Sequence, residues 1–248
     1  MASLLRFRRT SGPSPQAMSL REHVSELRRR LVICVGSLGV AGVVAFVSYP
    51  MILHLLEGPY CKVTTQCRLY VTGPLDGLSI RVKIATYGGF FLASPVLLWE
   101  LWRFVTPALR QREKRYAVPF LAASLLFFGL GTTLAYLTFP HALSFLGSIG
   151  GPSLRQLYGP GQYLGLLLAL MAVFGLTFEF PVLLVALELA GVVSQARLGK
   201  LRRWALVIIV VMAAVITPSG DPFSMLALAV PLYLFYELSI VAGRALRR

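Results

Sequence analysis

The sequence predicts an all-α, polytopic membrane protein. Hydrophobic residues make up 56% of the 248 residues, the mean hydropathy is +0.72, and long apolar runs recur along the whole chain. Apolar runs of about twenty residues are typical of helices that cross a bilayer. Six runs are predicted to be transmembrane helices: 31–56, 75–104, 118–146, 163–193, 204–217 and 223–241.

The chain before the first run divides into a tail and the start of a helix. Residues 1–18 are basic and lack acidic residues, which predicts a disordered cytoplasmic tail. Ser19 and Glu22 form an S-x-x-E capping box, and apolar residues follow it at helical spacing. We therefore expect an amphipathic helix that leads into the first span, a six-helix domain over 19–244, and a cytoplasmic C-terminus at 245–248.

The predicted spans differ in length. The run 204–217 extends only about 21 Å at about 1.5 Å per residue, whereas the hydrocarbon core of a bilayer is about 30 Å thick. The other spans are longer, and several contain a proline at which a helix bends. Bent and tilted helices of unequal length favour a curved, cupped arrangement with a concave face.

Lys and Arg are concentrated at one set of helix ends. Cytoplasmic loops of membrane proteins carry an excess of these residues. Most of the 24 in this chain lie in the N-terminal tail, in the junctions 103–115 and 197–203, and at the C-terminus. Both termini are therefore predicted to be cytoplasmic. The net charge of +14 indicates attraction to anionic lipid. Basic and aromatic residues do not alternate as they do in nucleic-acid-binding segments, so no nucleic-acid partner is expected.

The sequence contains none of the common catalytic or metal-binding motifs. His23, His54 and His141 lie far apart, and no nucleotide-binding loop, serine-hydrolase motif or zinc-protease motif occurs. The cysteines lack the neighbouring ligands of a zinc site. We therefore expect no enzymatic activity, no cofactor and no metal. Cys61 and Cys67 share a predicted outer loop, where oxidising conditions favour a disulfide between them.

Glu179 lies near the middle of the fourth apolar run, 163–193, and we interpret it as the single intramembrane carboxylate of that run. A charge at the centre of a bilayer helix costs on the order of 2.5–3.5 kcal/mol, and such residues usually serve an ion, a substrate or a partner. A protonated Glu hydrogen-bonded inside the bundle is the structural alternative. A proton-coupled secondary transporter is the functional alternative, although the sequence contains no visible inverted repeat.

Two more carboxylates, Glu26 and Glu113, stand within basic segments on the predicted cytoplasmic side. A carboxylate accepts two parallel N–H bonds from a guanidinium, which an ammonium group cannot supply. The pair therefore suits a ligand that carries arginine. The alternatives are that Glu26 pairs with Arg29 or Arg30 along its own helix, and that Glu113 is a solvated loop charge.

Four segments resemble the TatC family, the signal-peptide receptors of the twin-arginine protein translocase. They are HVSELRRRL, WRFVTPALRQREKRY, FGLTFEFPVLL and TPSGDPFSMLALAVPLY, in this order, and the resemblance extends from Met18 to about Arg244. It implies six helices in a cup and the export of folded proteins across the cytoplasmic membrane of a prokaryote. It also implies three kinds of partner: single-span TatA or TatB type subunits, further copies of the chain, and substrates with an Arg-Arg signal peptide.

The resemblance also implies roles for individual residues. Glu26 and Glu113 match the carboxylates that hold the two signal-peptide arginines, and Glu179 matches the polar residue that contacts the small partner subunit. Other positions marked by the family motifs are Arg28, Phe104 and Pro107 for signal-peptide binding, and Pro59 and Asp221 for partner contact. Met225 is a departure, because many relatives carry Gln at this position.

Overall fold

The fold consists of helices and the turns that join them. A computed structural model describes residues 20–64, 67, 69–71, 73–105, 117–149, 151, 159–189 and 191–246. These residues form eight helices and no strand: α1 Leu20–Val47, α2 Tyr49–Cys61, α3 Asp76–Val105, α4 Ala117–Ile149, α5 Pro160–Thr177, α6 Phe180–Leu189, α7 Gln195–Ile216 and α8 Pro222–Leu246. The predicted all-α fold class is confirmed.

The first predicted span, 31–56, is not one continuous helix. It divides at Ser48, where α1 ends and α2 begins. Pro50 lies in the first turn of α2, where a missing backbone N–H is tolerated, whereas the same residue inside a longer helix would remove a hydrogen bond. The predicted run 31–56 therefore covers the later part of α1 and the first part of α2, and its bounds as a membrane span stay a prediction.

The fourth predicted span, 163–193, is also divided. α5 ends at Thr177 and α6 begins at Phe180, so Phe178 and Glu179 lie in the turn between them. Pro181 is the second residue of α6, where a missing backbone N–H is tolerated, whereas in one continuous helix its ring would clash with the carbonyl of Thr177 four residues earlier. Glu179 therefore occupies a break between two helices rather than the interior of a regular helix.

The number of membrane spans stays a prediction. Within the described residues, five helical segments are long and apolar enough to cross a membrane: Val24–Val47, Asp76–Phe104, Val118–Ile149, Pro160–Leu189 and Pro222–Val241. α7 is not among them, although at 22 residues it is longer than the predicted run 204–217. Its first turns carry four Lys and Arg residues, so only its second half is continuously apolar.

α5 forms the centre of the core. Leu164, Leu167 and Phe174 are fully buried, and the helix packs against α3 and α4. A Cβ atom at Gly131 of α4 would lie 2.6 Å from the carbonyl oxygen of Phe174, closer than van der Waals contact allows. Glycine at this position therefore permits the close approach of α4 and α5.

α1 lies at the edge of the bundle and packs mainly on α3. A Cβ atom at Gly89 would lie 2.7 Å from the Cα atom of Gly42, so the two backbones are nearly in contact there. Only 6% of the most apolar stretch of α1, within Val24–Val47, is buried, as expected for a helix whose other faces contact lipid. The tight packing on α3 brings the N-terminal turns of α1 against the last turns of α3.

Three hydrogen bonds fix the opposite end of the bundle. The Tyr163 hydroxyl donates to the Leu56 carbonyl at 2.7 Å, and the Tyr136 hydroxyl donates to the Leu55 carbonyl at 2.8 Å. The Lys83 ammonium donates to the Gly161 carbonyl at 2.7 Å. These contacts anchor α2 to α4 and α5, and α3 to the start of α5.

Candidate functional site

A charged cluster lies where α1 meets the last turns of α3. The Arg30 guanidinium contacts the Glu26 carboxylate through Nη2. Through Nη1 it contacts the Glu100 carboxylate at 3.2 Å and, more weakly, the Glu100 carbonyl at 3.4 Å. The side chains are 12%, 28% and 8% exposed for Arg30, Glu26 and Glu100. One guanidinium therefore bridges two carboxylates from different helices.

The cluster surrounds a polar pocket of about 90 Å³, lined by Glu26, Arg29, Arg30, Ile33, Glu100 and Arg103. Phe104 is half-buried one turn after Glu100 on α3, and Arg28 is exposed on α1. Because carboxylates here already accept hydrogen bonds from a guanidinium, the pocket has the chemistry for binding arginine side chains.

Part of the predicted binding site lies outside the described residues. Glu113 and Pro107 fall in the segment 106–116, which is not described. The predicted capping box is not described either, because Ser19 and the side chain of Glu22 lie outside the described part of the chain. The alternative proposed for Glu26 does occur, because it pairs with Arg30 four residues later.

Glu100 is a residue of this cluster that the sequence analysis missed. A carboxylate inside the apolar run 75–104 was the signal that would have identified it, by the same argument that singled out Glu179. The periodicity of α3 could not show that its partner is Arg30, 70 positions earlier.

Glu179 is buried, with 4% of its surface exposed. Neither carboxyl oxygen makes a well-formed hydrogen bond within the described residues, although the Ser124 hydroxyl lies within reach. The indole N–H of Trp102 donates to the Ser124 oxygen at 2.6 Å. A short polar line thus runs from α3 through α4 to the break between α5 and α6.

This line places Glu179 along the bundle. Trp102 lies in the last turn of α3, and Ser124 is the eighth residue of α4. Glu179 is therefore nearer to the end of the bundle that carries Glu100 than to the opposite end. In one straight helix over 163–193, Glu179 would lie halfway between the two ends of the bundle. The break at Phe178 means that this position does not apply.

Glu179 is not the single carboxylate of its run, which corrects the sequence interpretation. Glu188 lies nine residues later in α6 and is fully buried. Glu188 is therefore a second carboxylate within the run 163–193. Within the described residues, no group of three or more His, Cys, Asp or Glu side chains could hold a metal ion.

An apolar cavity of about 190 Å³ opens beside the break. Pro181 and Val182, which follow Glu179, line one side of it; the remaining lining comes mainly from α4 and α8, with Phe120, Ala123, Phe127, Val185, Phe235, Leu238 and Ser239. A cavity of this composition accommodates apolar side chains.

The two other residues predicted to contact a partner are buried. Pro59 lies inside α2, and Asp221 precedes the first residue of α8. One carboxylate oxygen of Asp221 accepts from the Ser224 backbone N–H at 2.6 Å, and the other accepts from the Ser219 hydroxyl. Asp221 therefore caps α8, which gives it a structural task besides any contact with a partner.

Cys61 and Cys67 are joined by a disulfide. We expect both thiols to resist alkylation in protein that has not been reduced, while Cys34, which is a free cysteine, is modified under denaturing conditions. Mass spectrometry of protein alkylated before and after reduction measures this. Alkylation of Cys61 and Cys67 before reduction would show that the native protein lacks the bond.

Comparison with known proteins gives matches along most of the chain. Residues 22–231 match the family described as Sec-independent protein translocase protein (TatC). The TatC protein of Frankia casuarinae is 38% identical over an alignment of 255 positions, and the match covers 98% of this chain and 70% of that protein. The TatC protein of Aquifex aeolicus is 36% identical, with 93% of this chain and 97% of that protein covered. TatCy of Bacillus subtilis is 35% identical, with 93% and 91% covered.

Two crystal structures of the twin arginine translocase receptor TatC have a similar fold. The one in DDM superposes with a TM-score of 0.76 at 36% identity and covers 90% of this chain and 99% of that chain. The other has a TM-score of 0.75 at 36% identity and covers 92% and 100%. The similarity therefore includes both the sequence and the arrangement of the helices.

Proposed function

Because the chain belongs to the TatC family and is a core subunit of the twin-arginine protein export system, we propose that Glu26 and Glu113 bind the two arginines of a signal peptide. The site lies at the end of the bundle formed by the start of α1 and the end of α3. Arg28, Phe104 and Pro107 complete it, with Phe104 one turn from Glu100. The protein exports folded proteins and performs no catalytic step itself.

The observation that carries this proposal is the contact between Glu26 and a guanidinium. In the isolated chain that guanidinium belongs to Arg30. The pocket around the pair is small, polar and lined by both signs of charge, so it suits a cation with a planar, forked donor set better than a hydrophobic ligand.

The direct test is the affinity of the purified protein for a signal peptide with an Arg-Arg pair and for the same peptide with Lys-Lys. We expect the Arg-Arg peptide to bind more tightly, because only guanidinium forms bidentate pairs with carboxylates. Equal affinities would contradict arginine recognition.

For the second site, we propose that a single-span TatA or TatB type subunit packs over the apolar cavity beside Glu179. A polar group of the partner helix would then meet the Glu179 carboxyl group, which lacks a well-formed hydrogen bond within the described residues. We also propose that the partner subunit contacts Pro59 and Asp221. Copies of the chain associate with one another, and its basic residues contact anionic lipid.

The alternative function, a proton-coupled secondary transporter, gains no support from the comparisons. Every relative described above carries a translocase name, and TatC is a translocase component. Glu100 of α3 does not change this conclusion, because it already has an ion-pair partner in Arg30.

The chain is a multi-pass membrane protein, and we propose that it lies in the cytoplasmic membrane with both termini inside. In a variant without native cysteines, Lys62→Cys and Lys200→Cys introduce thiols at two exposed positions. A membrane-impermeant maleimide should label the first in intact cells and the second only after permeabilisation, because basic segments stay cytoplasmic. The reverse pattern would contradict the orientation.

A further inference from the structure

Arg30 holds the carboxylate to which the proposed function assigns a signal-peptide arginine. Its guanidinium reaches Glu26 with Nη2 and Glu100 with Nη1, and its buried Nε makes no hydrogen bond within the described residues. Arg30 thus offers each of the two carboxylates one nitrogen rather than the two parallel bonds of a bidentate pair. Arg30 is shared between two partners and is fully paired with neither.

The local charge balance opposes the simple addition of another arginine. Arg29, Arg30 and Arg103 line the pocket against Glu26 and Glu100. A further guanidinium that approached Glu26 while Arg30 stayed in place would meet a like charge in a partly buried site, where screening by solvent is weak. Arg30 must therefore leave Glu26 before a signal-peptide arginine can pair with it.

Glu100 provides a position for the displaced side chain. It already contacts Nη1 of Arg30, and its side chain is only 8% exposed. A guanidinium turned toward Glu100 would keep this carboxylate as its partner and could offer it a second N–H. The charge of Arg30 would then stay paired after it leaves Glu26.

We propose that Arg30 is an internal competitor for the signal-peptide site and that Glu100 is a positioning residue that receives Arg30 when the signal peptide binds. This inference rests on the proposed function of Glu26. An internal competitor lowers the apparent affinity for every ligand of the site by the same factor. Arg30 and Glu100 therefore set how tightly signal peptides bind, whereas the preference for arginine over lysine comes from the carboxylates themselves.

The test compares variants in the binding of fluorescent Arg-Arg and Lys-Lys signal peptides to the purified full-length protein. Glu100→Gln should weaken binding roughly tenfold, about the contribution of one charge-assisted hydrogen bond, because displaced Arg30 loses its partner. The double variant Arg30→Gln with Glu100→Gln should bind both peptides more tightly than the wild-type protein, and by equal factors. It leaves no buried charge unpaired at the two positions, so it is the safer variant for folding.

A matched control is the Arg202 and Glu237 ion pair, which joins α7 to α8 at 2.9 Å. Replacing both by Gln should leave the affinities unchanged. Wild-type affinity in Glu100→Gln, a double variant that binds no tighter than wild type, or unequal factors for the two peptides would each overturn the inference.

The inference and the proposed function fail in different ways. If Glu26→Gln binds the Arg-Arg peptide like the wild-type protein, Glu26 is not in the signal-peptide site and the proposed function of this residue fails. If Glu26→Gln loses binding while Glu100→Gln does not, the proposed function stands and only the competition by Arg30 is excluded.

Discussion

Replacing Glu26 and Glu113 together by alanine is expected to lower the affinity for an Arg-Arg signal peptide by about a hundredfold, since each carboxylate loses a charge-assisted pairing worth about a factor of ten or more. Binding of the Lys-Lys peptide, which is weak from the start, should fall much less. Titration of labelled peptides against the purified protein measures both affinities.

This result would separate specific pairing from general charge. Glu57→Ala removes a carboxylate from α2, at the opposite end of α1 from Glu26, and should leave both affinities unchanged. Equal losses for the two peptides in the Glu26 and Glu113 variant would mean that the carboxylates act only through net negative charge. The contrast with the Arg30 and Glu100 variant is informative, because there the two peptides are expected to change by equal factors.

Glu179→Leu is expected to reduce recruitment of the single-span partner and export of a folded substrate by about tenfold or more, because the variant removes the polar group offered to the partner helix. Folding and signal-peptide binding should persist. The Glu179 carboxyl group lacks a well-formed hydrogen bond within the described residues, and burying such a polar group costs free energy. Replacing it with an apolar side chain therefore removes this cost and breaks no stabilising contact. Site-specific crosslinking to the partner helix and an export assay measure the two effects.

Glu179→Gln is the matched control, because the amide keeps a polar group of nearly the same shape and should retain most recruitment. The thermal unfolding temperature of Glu179→Leu should equal or exceed that of the wild-type protein. Normal export with undiminished crosslinking in the Leu variant would return Glu179 to a purely structural role within the bundle.

The sequence alone determined the chemical character of the chain. Apolar runs and their periodicity are local properties, so they were sufficient to predict helices and membrane residence, and four short segments carried the family resemblance. Glu26 and Glu179 could also be selected as candidate site residues, because a carboxylate in a basic or apolar segment is visible without knowledge of its neighbours.

Only the tertiary structure decided which side chains meet. Arg30 and Glu100 are 70 positions apart, and helix periodicity shows which face a residue occupies but not which helix packs against that face. The contact follows from the packing of α1 on α3, where Gly42 and Gly89 let the backbones approach. Pro181 indicates in the sequence that the run 163–193 bends, but it does not show that α5 ends at Thr177 and α6 begins at Phe180, because a proline is compatible with one kinked helix as well as with two helices.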